Sequence, residues 1–323
     1  MSKVNCAALL SVLLFFFISN SAISQGYPSK PIRIFVGFAA GGATDVSARM
    51  LGQKLNSLLG QPVIVENRPG SGGLLATEAV ARSVPDGYTL LMMAAADAVQ
   101  PALRAKMPYD LLTGFSPISL VVTGPFLLVI HPSVPAKNVK ELIAVARKGN
   151  GQMNYATSGL GSSAHMAAEL FNSLAKVRTQ HIPYKGVSQG VVGVANGEAD
   201  MIFASIPAAR SLIELRKLRA LAVTQAKPSV LMPDMPTLND SGLPGYDRTG
   251  WYGLIGPLGT PAEYVNKLNA AISQAAAMPD LKAAFFKQGL EVETNSPSNF
   301  AQLIKREVAQ NIALAKVAGI KPE

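Results

Sequence analysis

Two stretches of this chain share one plan, and that plan limits the fold more than any other feature. Residues 34–49 read IFVGFAAGGATDVSAR. The apolar run over 32–38 suits a buried strand. Ala39, Ala40, Gly41 and Gly42 follow. None has a bulky side chain, so the backbone can turn tightly and admit a ligand to its N–H groups. Thr44 or Asp45 can then cap a helix whose apolar positions Val46, Met50 and Leu51 recur at helical spacing. A strand, a glycine turn and a helix N-terminus together form an anion site, because unpaired N–H donors and the positive end of the helix dipole point at one spot. Residues 154–171, NYATSGLGSSAHMAAELF, repeat the plan much later in the chain. The two turns are expected to face each other across a cleft and hold a small acid.

Around these turns, strands alternate with helices. The expected series is strand 32–38, helix 44–59 ended by Gly60, strand 62–67, helix 74–83 and strand 89–94. Such units build a mostly parallel sheet with right-handed crossovers and ligands at the C-terminal ends of the strands. Residues 39–44 and 94–98, the latter with Ala95 and Asp97, therefore share one rim. The loop 68–73 lacks G-x-x-x-x-G-K-[ST] and reads as a tight loop packing glycines against a helix. The run 115–130 is broken by Gly124-Pro125, so two strands are expected, with a crossing to a second domain near Gly124. The series then restarts with strands 126–130, 153–156, 180–183, 201–204 and 219–224, and helices 139–148, 162–174, 188–196 and 206–215. The proline-rich run 227–244 is irregular, and the return crossing is expected at Gly245. Strand 251–255 rejoins the first sheet, and helices 261–278 and 297–317 close the chain. The expected architecture is α/β. Two domains, 25–124 with 247–323 and 125–246, are joined by a two-crossing hinge with the ligand cleft between them.

The N-terminus reads as a targeting segment. Lys3 precedes an apolar run over 7–18, and Ala22-Ile23-Ser24 fits a small-x-small cleavage site. Residues 1–24 are thus expected to be removed on export to the periplasm, leaving a chain that begins near Gln25. The run is shorter than the roughly 20 apolar residues of a spanning helix. The one cysteine, Cys6, would leave with the leader, which excludes disulfides and Cys-ligated metals from the mature chain. What remains is long enough for two domain cores. The formal charge of +9 comes from dispersed Lys and Arg, which favours acidic ligands only weakly. Without aromatic–basic interleaving, nucleic acid is not an expected partner. No cofactor is expected, and the chain is read as a monomer.

Several motifs carry competing readings. Residues 159–164, GLGSSA, match G-x-G-x-x-[GA] between a strand and a helix. A dinucleotide would need an acidic residue about 20 positions on, and Lys185 stands there instead. Close backbone approach and a helix dipole suit a carboxylate as well. His165 lies near Ser158, Ser162 and Ser163, so a hydrolase using Ser162 or Ser163 with His165 is the competing class. No G-x-S-x-G elbow surrounds these serines, and no carboxylate is placed to orient the imidazole. His165 remains open between a ligand hydrogen bond and a structural one. His131, His165 and His181 are too scattered for a zinc site. Asp45 is either a helix cap or a partner for an amino group on the ligand. Met92-Met93 reads as core.

The chain also resembles, over nearly its whole mature length, the Bug-type periplasmic solute receptors of tripartite tricarboxylate transporters. The resemblance rests on an ordered set of motifs. The first half carries YPxKPI at 27–32, GGATD at 41–45, VENRPG at 65–70 and PDGYTL at 85–90. Asn154-Tyr155, GxGSSxH at 159–165, PYKG at 183–186 and LRALAVT at 218–224 follow. PDxPT at 233–237, SGLPGY at 241–246, WxGL at 251–254 and Gly259-Thr260-Pro261 complete the set. The resemblance implies a type II periplasmic-binding-protein fold and a receptor that delivers its ligand to membrane permease subunits. It implies that the turns from Gly41 to Asp45 and from Thr157 to His165 clamp a carboxylate, partly through ordered water, with Phe38 and Ser205 at the adjoining strand ends. The sequence departs from the family pattern at Ala39-Ala40, at 95–98 (AADA) and at 203–205 (FAS), so the resemblance does not fix the ligand. Asp97 is read either as a selector for a positive group or as a cap.

Overall fold

In the computed structural model, residues 26–322 are described. The expected leader, its cleavage site and Cys6 lie outside them. The first half runs β1 (Ile32–Val36), α1 (Ala43–Leu59), β2 (Val63–Asn67), α2 (Leu74–Ala81) and β3 (Thr89–Ala94), then the one-turn α3 (Gln100–Leu103). Next come β4 (Phe115–Ile130), α4 (Val139–Lys148), β5 (Asn154–Thr157), α5 (Ser163–Ala175), β6 (Gln180–Pro183), α6 (Val187–Ala195), β7 (Met201–Ser205), α7 (Ile206–Glu214) and β8 (Arg219–Val223). The chain finishes with β9 (Thr249–Pro257), α8 (Ala262–Ala277), α9 (Pro279–Lys287), β10 (Glu291–Val292) and α10 (Pro297–Val317). No described helix is long and apolar enough to cross a membrane.

Both halves use one strand order. The first is β2-β1-β3-β9-β4, with β1 parallel to β2 and β3, and β9 antiparallel to its neighbours. The second is β6-β5-β7-β4-β8, with β5 parallel to β6 and β7, and β4 antiparallel to β7 and β8. Strand β3 is buried along its whole length because helices cover both faces, and β1 is buried except at Arg33. The side-chain period of two divides β3 between cores: Leu90 and Met92 face α1 and α8, and Leu91 and Met93 face α2 and α10. Both methionines are fully buried, as expected from their place in the strand. Each such side chain contributes roughly 1.5–3 kcal/mol by leaving water.

Strand β4 corrects the expectation of two strands. It runs unbroken through Gly124 and Pro125, which stay in register with Gly250 and Thr249 of β9. Beyond them, Phe126–Ile130 pairs with β7 and β8 instead. Pro125, which has no N–H, stands where the partner changes, so no ladder bond is lost. Glycine at 124 has a packing reason: a Cβ there would lie 2.7 Å from Leu290 Cδ2 and 3.0 Å from Gly289 O. The cores respect the same point. Two clusters draw only on residues between Leu127 and Tyr246, and the other two only on residues before Phe126 or after Thr249. Helix α9 and the two-residue β10 were not expected from the sequence.

Candidate ligand-binding site

The C-terminal ends of the parallel strands in the two halves meet around a cavity of about 790 Å³. In the first half, β1 ends in the glycine turn. Gly41 adopts φ +82°, and nothing lies within 4 Å of where its Cβ would be. The N-cap of α1 is Gly42, with no side-chain capping bond. Thr44 and Asp45 are therefore not the cap. Phe38, Gly41, Gly42, Ala43 and Thr44 line the cavity. Ala40 is exposed outside it.

Asp45 is turned the other way. Its carboxylate accepts from the Gly41 N–H at 2.9 Å, from Asn67 Nδ2 at 2.9 Å and from Arg49 Nε at 3.1 Å. Burial pushes its pKa up, but these bonds, Arg49 first, hold it below the usual carboxylate range. The group is fully used in fixing the turn, which leaves none of it for an amino group on a ligand.

Beside this turn, Ala94, Ala95 and Ala96 line the cavity where β3 ends. Asp97 does not. It is buried behind the wall, with Oδ2 accepting from the Ala94 N–H at 2.7 Å. Its other oxygen has no hydrogen-bond partner and occupies the space beside Gly73 where a Cβ would collide with it. Burial raises its pKa to about 7, against the lowering effect of the Ala94 bond. Neither reading of Asp97 holds: it does not line the cavity, and neither helical turn that follows has a side-chain cap; the carboxylate instead ties back to the end of β3.

The second turn follows β5. Gly159 and Gly161 adopt φ +113° and +70°, a region open to glycine at little cost. Ser162 caps α5 by accepting the His165 N–H on Oγ at 3.2 Å, so its hydroxyl proton stays free to donate. Ser158, Gly161, Ser162, Ser163 and Ala164 line the cavity. The N–H groups of Ser163 and Ala164, in the first turn of the helix, have no intrahelical acceptor.

Thr157 and His165 support this turn from behind and do not line the cavity. Thr157 Oγ1 shares a hydrogen bond of 2.6 Å with His181 Nε2 and accepts the Gly159 N–H at 3.0 Å. His165 Nδ1 accepts the Gly161 N–H at 3.1 Å. Its ring lies 4.4 Å from that of His181. Burial first, and His181 second, lower its pKa to about 4, which keeps the imidazole neutral at pH 7. The structural alternative for His165 is thus the one observed.

Two further helix starts face the same cavity. Ser205 is the N-cap of α7, and its hydroxyl makes no capping bond. It lines the cavity with Pro207 and Ala208. Helix α6 begins after Gly186, and Lys185, Val187 and Ser188 line the cavity there. The inner wall is apolar: Phe126, Trp251, Tyr252 and Leu290. Gln100 and Gly72 close the side next to α3. Four helix N-termini, those of α1, α5, α6 and α7, therefore converge on one space. Sequence reasoning found the first and second through their glycines. It placed Ser205 at the rim without reading the start of α7 as an anion turn, and it missed the start of α6, because neither FAS nor PYKG looks like an anion turn. No cluster of His, Cys, Asp or Glu among the described residues is arranged to hold a metal.

Residues 47–320 match the family described as the tripartite tricarboxylate transporter family receptor. The chain is 33% identical to the protein BugT of Bordetella pertussis, over 98% of this chain and 99% of BugT. Among solved structures it is similar to R. palustris Rpa4515 with adipate, at 31% identity and a TM-score of 0.82, covering 92% of this chain and 100% of that one. It is also similar to the periplasmic binding protein BugD, at 33% identity and a TM-score of 0.78, covering 92% and 100%. With such identity along almost its full length, and with two α/β halves flanking a cleft, the chain belongs to the tripartite tricarboxylate transporter receptor family and has the fold of the Bug-type periplasmic binding proteins.

Proposed function

We propose that this protein is a periplasmic solute receptor that captures a small carboxylate between the 41–45 and 157–165 turns and hands it to the permease subunits of a tripartite tricarboxylate transporter. One observation carries the reading: four helix N-termini open onto one cavity, while no Asp or Glu lines it. Each terminus presents unpaired N–H groups and a partial positive charge, worth roughly 0.3–1 kcal/mol toward an anion. The hydroxyls of Ser162 and Ser205 add donors. The adipate bound to Rpa4515 supports the ligand class. Residues 25–124 with 247–323 form one body and 125–246 the other, and they close about β4 and the segment before β9. The separate cores of the two halves support that division.

The hydrolase alternative lacks geometric support. Ser162 Oγ accepts one backbone N–H and His165 Nδ1 another, and neither the Ser162 nor the Ser163 hydroxyl bonds to the His165 ring; the Ser–His contact present, His131 Nδ1 with Ser133 Oγ at 2.6 Å, lies away from the cavity. A thermal-shift screen of mono-, di- and tricarboxylates and amino acids tests the receptor reading. At least one acid should raise the Tm in proportion to its concentration. A flat response to every acid would refute it, and stoichiometric labelling of Ser158, Ser162 or Ser163 by a serine-reactive phosphonate would restore the hydrolase.

A further inference from the structure

Among the residues lining the cavity, one side chain carries a charge, that of Lys185. Its ammonium has no ion-pair partner among the described residues. The two carboxylates already described in the turns of the first half do not line the cavity. Asp45 is satisfied by Arg49 and Asn67, and Asp97 lies behind Gly73. The cavity therefore offers a positive group and no negative one.

The sheet gives Lys185 a position. Counting outward from β4, the second half runs β7, β5, β6. Neighbouring strands lie about 4.8 Å apart. Ser205 ends β7, the Ser158–Ser163 turn follows β5, and Lys185 follows β6. Lys185 thus stands about one strand spacing beyond the second glycine turn and about two beyond Ser205, at the outer end of the cavity. Its backbone is tied there. The Tyr184 N–H donates to Thr157 O at 2.9 Å, and the Lys185 N–H to Gln189 Oε1 at 3.3 Å. The other end, at Trp251, Tyr252 and Phe126, is apolar.

We infer that Lys185 is a specificity residue: it reads a second negative charge on the ligand, so that the cleft prefers a dianion to the monoanion of equal length and rejects zwitterions, whose ammonium would find no partner. This rests on the carboxylate reading above. Hydrogen bonds to charged groups are among the stronger ones, but solvent at an exposed lysine screens the interaction, so the expected discrimination is about tenfold.

The test is calorimetry on the full mature chain with nine probes: succinate, glutarate and adipate; butanoate, pentanoate and hexanoate; aspartate, glutamate and 2-aminoadipate. Wild type, Lys185→Gln and Ser162→Ala are compared. The inference requires that a dianion bind wild type at least tenfold more tightly than its matched monoanion and than its amino derivative. Lys185→Gln should bring the dianion down to the level of its monoanion, and Ser162→Ala should weaken both alike. If Lys185→Gln keeps the dianion advantage, or wild type shows none, or an amino acid binds best, Lys185 is not the selector, while the Ser162→Ala loss still upholds the carboxylate cleft. If none of the nine acids binds wild type but the thermal-shift screen yields another acid, the selector inference alone falls; if that screen is flat as well, both readings fall.

Discussion

At the scale of single residues, the decisive fact is where side chains point. Asp45, Asp97, Thr157 and His165 all stand in the turns that sequence reasoning singled out, yet each supports its turn from behind. Spacing along a chain brings a residue to a turn but does not say which way it faces. Asp97 shows the consequence most clearly. Its folded pKa is raised to about 7 by burial, against about 3.9 in an unfolded chain. Between those values the folded state holds a proton that the unfolded state has lost, so stability falls as pH rises from about 4 to about 7. The loss is on the order of a few kcal/mol. His165 acts in the opposite sense. Its folded pKa is lowered, so its contribution is present above the unfolded value near 6.5 and lost as pH falls toward about 4. Asp97→Asn removes the first effect alone. Urea unfolding at pH 4.5 and 7.5 should show the variant gaining on wild type at the higher pH, and an unchanged difference between the two pH values would contradict the burial argument. The two serines give a second residue-scale prediction. Ser162→Ala removes a cap and should cost about 1 kcal/mol of stability. Ser205→Ala removes no capping bond and should leave the Tm nearly unchanged. Both should weaken acid binding in calorimetry, roughly 10- to 100-fold where the hydroxyl donates directly. Equal stability losses would show that the capping assignment is wrong.

At the scale of elements, apolar runs and glycine punctuation made most strands and helices legible. Strand β3 and helices α4 and α10 fall where the sequence places them. The failures have physical causes. Gly124-Pro125 reads as a break because proline normally ends a central strand, but here it sits where the strand exchanges partners. Helix α9 was missed because Met278-Pro279 ends α8 and at once opens the next helix with proline in its first turn. The start of α6 was read as a helix but not as part of a site, and at the start of α7 only Ser205 was placed at the site. Another contact was invisible in sequence: Leu103 of α3 fills the space where a Cβ on Gly161 would lie. Gly161 therefore permits both a positive φ and a contact between the two halves. Gly161→Ala should destabilise by more than the roughly 1 kcal/mol typical of a strained backbone position. Leu103→Ala in the same chain should recover the steric share, so chemical denaturation of the double variant should show less loss than the two single losses added. Strict additivity would mean that Leu103 yields freely and that the contact has no energetic role.

At the scale of the whole molecule, two halves with one strand order are linked through β4 and the segment before β9, and each half keeps its own core. Such an arrangement bends more easily between the halves than within them. Small-angle scattering should give a smaller radius of gyration with saturating acid, and an unchanged profile would argue against closure as the response to ligand. The central claim is narrower: an anion sits where the four helix N-termini converge. The measurement that reads it most directly is the crystal structure of the complex with the acid that gives the largest thermal shift. A carboxylate of that acid should lie within hydrogen-bonding reach, about 3 Å or through one ordered water, of the N–H groups at the starts of α1 and α5. A ligand bound elsewhere, or one whose carboxylate faces Trp251 and Tyr252 and leaves the glycine turns to solvent, would contradict it.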